Sequence, residues 1–220
     1  MKIRKISEHI TKLEVWCLFK VSVWLVQASD GVYIIDTGMA FMSKHILREA
    51  EKLGEIKAIL LTHGHSDHVG GVKNIIRERN IPVYAHAFDL DYMEGKAPFP
   101  RRKKAEALVP PNVVQPLPIN ENGELEAFGD LIPYHTPGHS PGHVVYYHAK
   151  DNVLLSGDLF TSKKGQLQQP MKMFTAYMDQ AIASSRIVRE LKPALVSITH
   201  SDDVKDAYLQ IDEYMKQYAV

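Results

Sequence analysis

The segment Leu61-Thr62-His63-Gly64-His65-Ser66-Asp67-His68 constrains this chain more than any other. A short apolar run, Ile56–Leu61, leads straight into it and reads as a buried strand. Three histidines and an aspartate then fall within six residues. Imidazole and carboxylate are the ligands that borderline divalent metals prefer. Packed this closely without a metal, the same groups would repel or stay unpaired. His63 and His65, one residue apart at a strand end, suit one ion. Asp67 and His68, beyond the bend at the start of a helix, suit a second, and Ser66 or Asp67 suits the cap of that helix.

Periodicity around the cluster sketches the fold. Ile10–Phe19, Val21–Ala28 and Val32–Ile35 read as strands, with Asp30-Gly31 as the hairpin turn between the last two. Met42, Ile46, Leu47, Ala50 and Leu53 recur at helical spacing up to a stop at Gly54. A helix over 66–79 and a strand at Val83–Ala85 follow. The stretch Gly95–Pro118 holds six prolines (98, 100, 110, 111, 116 and 118) and reads as a surface excursion or a linker between halves. Its block Arg101-Arg102-Lys103-Lys104 reads first as a solvated loop and second as part of a substrate rim.

In the second half, Leu131–Tyr134, Val144–Tyr147 and Val153–Leu155 read as strands, with a turn at Asp151-Asn152. A helix over 176–191, a strand at Ala194–Ile198 and a final helix follow. Val204, Ala207, Tyr208, Ile211 and Met215 form the apolar face of that last helix. Both halves run strand, helix, strand, helix, which suits a pair of sheets flanked by helices.

Charge and cysteine content exclude several classes. The 26 basic and 26 acidic side chains balance, so no broad field draws the chain to nucleic acid or anionic membrane. Cys17 is the single cysteine, which rules out an intrachain disulfide. Charged residues interrupt any signal-like segment near the start, and no apolar run reaches the ~18 residues of a membrane span. The expectation is a cytoplasmic protein acting on a small molecule.

Five segments then carry a resemblance. Leu61–Gly71 resembles the metal-binding signature of the metallo-β-lactamase superfamily. Ile34-Ile35-Asp36-Thr37-Gly38 resembles its first motif, Thr136–His143 its third and Ser156-Gly157-Asp158-Leu159-Phe160 its fourth. Thr199-His200-Ser201 stands where the last ligand is expected, although the family often has Gly-His-Gly there. The resemblance implies one domain over residues 1–220 with an αβ/βα sandwich fold, two mixed sheets carrying helices on their outer faces. It implies one ion on His63, His65 and His139, another on Asp67, His68 and His200, and Asp158 bridging them. The ions implied are zinc, with iron or manganese as alternatives. Asp36 and His143 are expected to orient ligands rather than bind metal, and His135 to be structural. His9, His45, His86 and His148 have no supporting context and read as surface residues.

The chemistry implied is hydrolysis of an ester, lactone or thioester, with Asp158 and Asp67 as the catalytic carboxylates and Asp67 able to hold a proton for the leaving group. A mononuclear iron persulfide dioxygenase and a β-lactam hydrolase are the alternatives. Against the second stands the lack of a cysteine near Asp158. The related lactonases carry a tyrosine three residues after the bridging aspartate, where this chain has Thr161; Tyr177 is a possible replacement from elsewhere. Glyoxalase II-like relatives add a C-terminal helical region for which a chain ending at Val220 looks too short. Phe99, Phe174 and Tyr177 are the expected substrate-pocket residues.

Overall fold

The computed structural model describes residues 1–218. The chain runs β1 (Lys2–Lys5), β2 (Ile10–Cys17), β3 (Phe19–Ala28), β4 (Gly31–Ile35), α1 (Ser43–Leu53), β5 (Ile56–Leu60), α2 (Ser66–Val69), α3 (Val72–Glu78), β6 (Val83–Ala85), α4 (Ala87–Met93) and β7 (Val114–Pro116). It continues with β8 (Leu131–His135), β9 (Val144–His148), β10 (Val153–Leu155), β11 (Thr161–Lys163), β12 (Gln166–Gln168), α5 (Met178–Ser184), α6 (Ile187–Leu191), β13 (Leu195–Ser197), β14 (Val204–Lys205) and α7 (Ile211–Tyr218). A seven-stranded mixed sheet holds β1 to β7 in sequence order, antiparallel up to β4 and parallel from there. A five-stranded mixed sheet has the order β14-β13-β10-β9-β8.

Side-chain alternation turns these two sheets into four layers. Along β3, Val21, Val23 and Leu25 join a core with Ile46, Leu47 and Ile75 of α1 and α3, whereas Trp24 and Val26 point the other way. On β9, Val144 and Tyr146 meet that second set, while Val145 packs with Ile182, Val188 and Ile211 of α5, α6 and α7. The middle core therefore lies between the sheets, and each outer face is covered by helices, as the resemblance implied.

Four expectations need correction. The first strand does not run to Phe19. The chain reverses at Leu18, which has φ 62° and is 98% exposed, and Phe19 begins β3. An apolar residue in a left-handed turn gives no turn signal in the sequence. The helix over 66–79 is two helices broken at Gly70-Gly71. Here Thr37 captures the His68 carbonyl with its N–H at 2.7 Å and its hydroxyl at 2.9 Å, taking the acceptor that helix continuation needs. A Cβ on Gly71 would sit 2.6 Å from the Thr37 carbonyl oxygen, so only glycine permits this approach.

The expected helices after residue 176 are also shorter. The 176–191 segment divides into α5 and α6 around Ser185. The apolar set from Val204 onward spans β14, a short 3₁₀ turn at Ala207–Leu209, and α7. Asp206, at φ 47°, interrupts it. Val204, Ala207 and Ile211 still face one core, so the pattern reported burial correctly and conformation wrongly. Beyond the expectations, β1, α4, β7, β11, β12 and β14 are additional elements.

Candidate metal centre

Loops at one end of both sheets bring together all seven side chains proposed from the sequence as ligands. His63 and His65 follow β5, Asp67 and His68 lie on α2, His139 is on the β8–β9 loop, Asp158 follows β10, and His200 follows β13. His63 Nε2 lies 2.9 Å from His65 Nδ1, which lies 3.0 Å from His139 Nε2. His65 Nδ1 carries a single hydrogen or a single lone pair, so it cannot fully satisfy both neighbours, and the three nitrogens converge on a shared point. That arrangement suits a cation.

A second convergence lies beside the first. Asp67, His68 and His200 bring ligand atoms within 4.8 Å of one another. Asp158 spans the two groups, with Oδ2 3.3 Å from His139 Nε2 and 3.2 Å from His200 Nε2, and Oδ1 3.4 Å from His68 Nε2. These contacts have ion-pair distances without hydrogen-bond alignment. His68 Nε2, His200 Nε2 and Asp158 Oδ1 are buried and lack any hydrogen-bond partner among the described residues. Orphaned buried polar atoms are costly, and three aimed at one region fit a bound divalent ion.

The far side is anchored in four of the five rings. His63 Nδ1 meets the Thr62 hydroxyl at 3.1 Å, His139 Nδ1 the Thr175 hydroxyl at 3.2 Å, and His200 Nδ1 the Lys20 carbonyl at 2.6 Å. His68 Nδ1 pairs with Asp36 Oδ2 at 2.8 Å. Asp36 also accepts from the Thr62 N–H and hydroxyl at 2.7 and 2.8 Å, fixing the strand end that launches the cluster. His143 does not join the ligands; its Nε2 accepts from the Asp158 N–H at 3.1 Å, and its Nδ1 meets the Thr136 hydroxyl. Such outer contacts set ring orientation and tautomer.

Electrostatics divide the seven side chains. Burial holds His63 and His139 well below the ordinary imidazole range and brings His65 to about 4. Burial opposes charge on His68 and His200 too, but the carboxylates prevail. Asp36, Asp158 and Asp67 raise His68 well above the usual value, and Asp158 and Asp67 raise His200 to about 10. Asp67 falls to about 2 because His68 and His200 outweigh its burial.

A cavity of about 490 Å³ opens over this cluster. Phe19, Met39, Phe99, Leu108, Met171 and Phe174 give it apolar walls, and His65, Asp67, Asp158 and His200 reach it. Phe99 and Phe174, two of the expected pocket residues, line this cavity. Tyr177 does not line the cavity: it is the N-cap residue of α5, with its N–H on the Gly138 carbonyl. One turn over 172–174 places Phe174 on the cavity, and the bend at Ala176 leads Tyr177 to the start of α5 instead. The basic block is exposed, yet Arg102 and Lys104 line the cavity, and Arg102 lies over the Phe174 ring. Arg101 donates to the Lys172 and Thr175 carbonyls, binding the proline-rich excursion to the cavity wall.

The sequence reading missed Asp89. This fully buried carboxylate on α4 accepts hydrogen bonds from Gly64, Ser140 and Gly142. Its only signal was position: Asp89 stands four residues before Met93, so the two share the buried face of α4.

The metallo-beta-lactamase superfamily profile matches residues 18–200. The chain belongs to that superfamily. It is 38% identical over 224 residues to the probable metallo-hydrolase YybB of Bacillus subtilis (strain 168), covering 100% of this chain and 98% of that protein. It is 30% identical to a hydroxyacylglutathione hydrolase of Methylobacillus flagellatus, covering 72% of this chain and 56% of the relative. Among solved structures, TTHA1623 in a di-iron-bound form superposes with a TM-score of 0.68 at 26% identity, over 90% of this chain and 95% of that one.

Proposed function

We propose that the protein is a metallo-hydrolase that cleaves small ester, lactone or thioester substrates with two divalent ions, zinc in the first instance. The observation that carries this reading is the convergence of seven ligand-type side chains on two adjacent points at the floor of an apolar-walled cavity. The full-length similarity to a probable metallo-hydrolase and the shorter similarity to a hydroxyacylglutathione hydrolase support it.

His63, His65 and His139 would hold one ion, and Asp67, His68 and His200 the other, with Asp158 reaching both. When bound, such a pair supplies a water of lowered pKa and a Lewis acid for the carbonyl oxygen. The residues of the chain do the rest. Asp36 and the Lys20 carbonyl hold the His68 and His200 rings in one orientation, which keeps the second set of ligands preorganised. Asp67, its side chain 21% exposed on the cavity and ionised at neutral pH, would pass to the leaving group only a proton it had first taken from the attacking water. Phe99, Phe174 and Met171 bind the apolar portion of the substrate and exclude water around the scissile bond.

A one-iron oxidoreductase would need only the His63, His65 and His139 set with Asp158. The second pocket, with His200 anchored by Lys20, favours hydrolysis. Elemental analysis combined with a turnover screen over lactone, thioester, phosphodiester and β-lactam substrates tests the proposal. Two zinc ions per chain and carbonyl-substrate turnover that His63→Ala abolishes are expected. One iron per chain without hydrolysis would favour the oxidoreductase, and full turnover after metal stripping would sink both.

A further inference from the structure

The two loops that form the first pocket come from distant parts of the chain, and a single carboxylate joins them. Asp89 Oδ2 accepts from the Gly64 N–H at 3.0 Å and from the Ser140 hydroxyl at 2.7 Å, while Oδ1 accepts from the Gly142 N–H at 2.7 Å. Gly64 separates His63 from His65, and Ser140 follows His139. The fit leaves no slack: a Cβ on Gly142 would stand 2.9 Å from Asp89 Cγ, and one on Gly64 would stand 2.9 Å from Met93 and Phe99 side-chain atoms.

Burying a carboxylate is costly unless donors compensate, and an apolar residue of similar volume often stabilises such a spot better. A buried acid whose three donors all lie on the two ligand loops has a more specific consequence. We propose that Asp89 is a positioning residue that sets the distance from His63 and His65 to His139, and so tunes affinity for the first ion. The inference rests on the metal-dependent reading above. Asp89 touches neither substrate nor ion; it acts through the backbone beside the ligands.

Zinc titration against a chromophoric chelator, on the wild type, Asp89→Asn and Ser140→Ala, is the test. An amide cannot accept from all three donors, so Asp89→Asn should weaken the first ion by about ten- to hundred-fold. Ser140→Ala, which removes one donor and leaves the acid, should weaken it by a few-fold. Cobalt loading should shift the visible absorption of the first ion in Asp89→Asn, and leave the second ion's affinity unchanged. Wild-type affinity for both ions in Asp89→Asn would overturn the proposal. So would an equal weakening of both ions in step with a lower melting temperature of the metal-stripped protein, which marks a merely structural prop. If Asp89→Asn does not fold, unchanged affinity in Ser140→Ala overturns it. A wild-type protein that binds no zinc would instead overturn the metal-dependent reading.

Discussion

The two ligand pockets lie side by side yet differ in kind. His63, His65 and His139 form a set without its own carboxylate, and burial keeps their imidazoles neutral. Asp67, His68 and His200 form a set crowded by acids, in which the imidazoles ride high and Asp67 stays ionised. A cation entering the first set would meet free lone pairs. One entering the second would have to displace protons, and would meet more negative charge in return. The same imidazole group is thus shifted in opposite directions in the two sets, by burial in the first and by neighbouring carboxylates in the second.

The largest effect expected is from Asp158→Ala, because that carboxylate serves both pockets. Turnover should fall by about a thousand-fold or more, with metal content reduced, in elemental analysis and steady-state kinetics. Retention of both ions and of activity would show that the pockets do not depend on a common bridge.

Single-pocket substitutions separate the two sites. His139→Ala should remove the first ion and nearly all turnover. His200→Ala should leave one ion per chain and turnover reduced by about a hundred-fold. Equal stoichiometry and equal losses in the two variants would break the distinction between the pockets.

Metal affinity measured against pH probes the same difference without mutation. His200, raised to about 10, remains protonated well above neutrality, and binding must displace that proton. Affinity for the second ion should therefore rise by about tenfold per pH unit for each proton released between roughly pH 6 and 8. His65 sits at about 4 and its two partners are also lowered, so the first ion should show little change across that window. Parallel pH profiles for the two ions would contradict this account.

The smallest effect belongs to the cavity wall. Phe174→Ala should raise KM for an apolar ester by about five-fold and leave kcat and both ions intact, because the ring binds ground and transition states alike. An unchanged KM would remove Phe174 from the substrate site.

Much of this contrast was legible in the sequence because ligand chemistry and alternation are local. The dense His63–His68 segment displayed its ligand-type side chains directly, and the apolar segment Val21–Ala28 announced a strand, both faces of which the fold then buried over Val21–Val26. Lys12 shows the opposite case. Alternation alone gives a lysine in β2 no reason to be enclosed, yet it is fully buried, donating to the Ile198 carbonyl and to Asp203 at 2.7 Å each. Both partners lie nearly two hundred residues away, on the loop that carries His200.

By itself, then, the sequence determined which side chains were available to bind metal, which faces of the strands were apolar, and the superfamily to which the chain belongs. The tertiary structure decided that Asp89 would join the His63–His65 and His139 loops, that Thr37 would stop the helix after His68, and that Phe174 rather than Tyr177 would face the cavity. It also decided that His139 would stay neutral while His200 rose to about 10. The physical reason is range. Residue type and periodicity act between neighbours in the chain, whereas burial, carboxylate proximity and loop-to-loop hydrogen bonds arise only when distant segments meet.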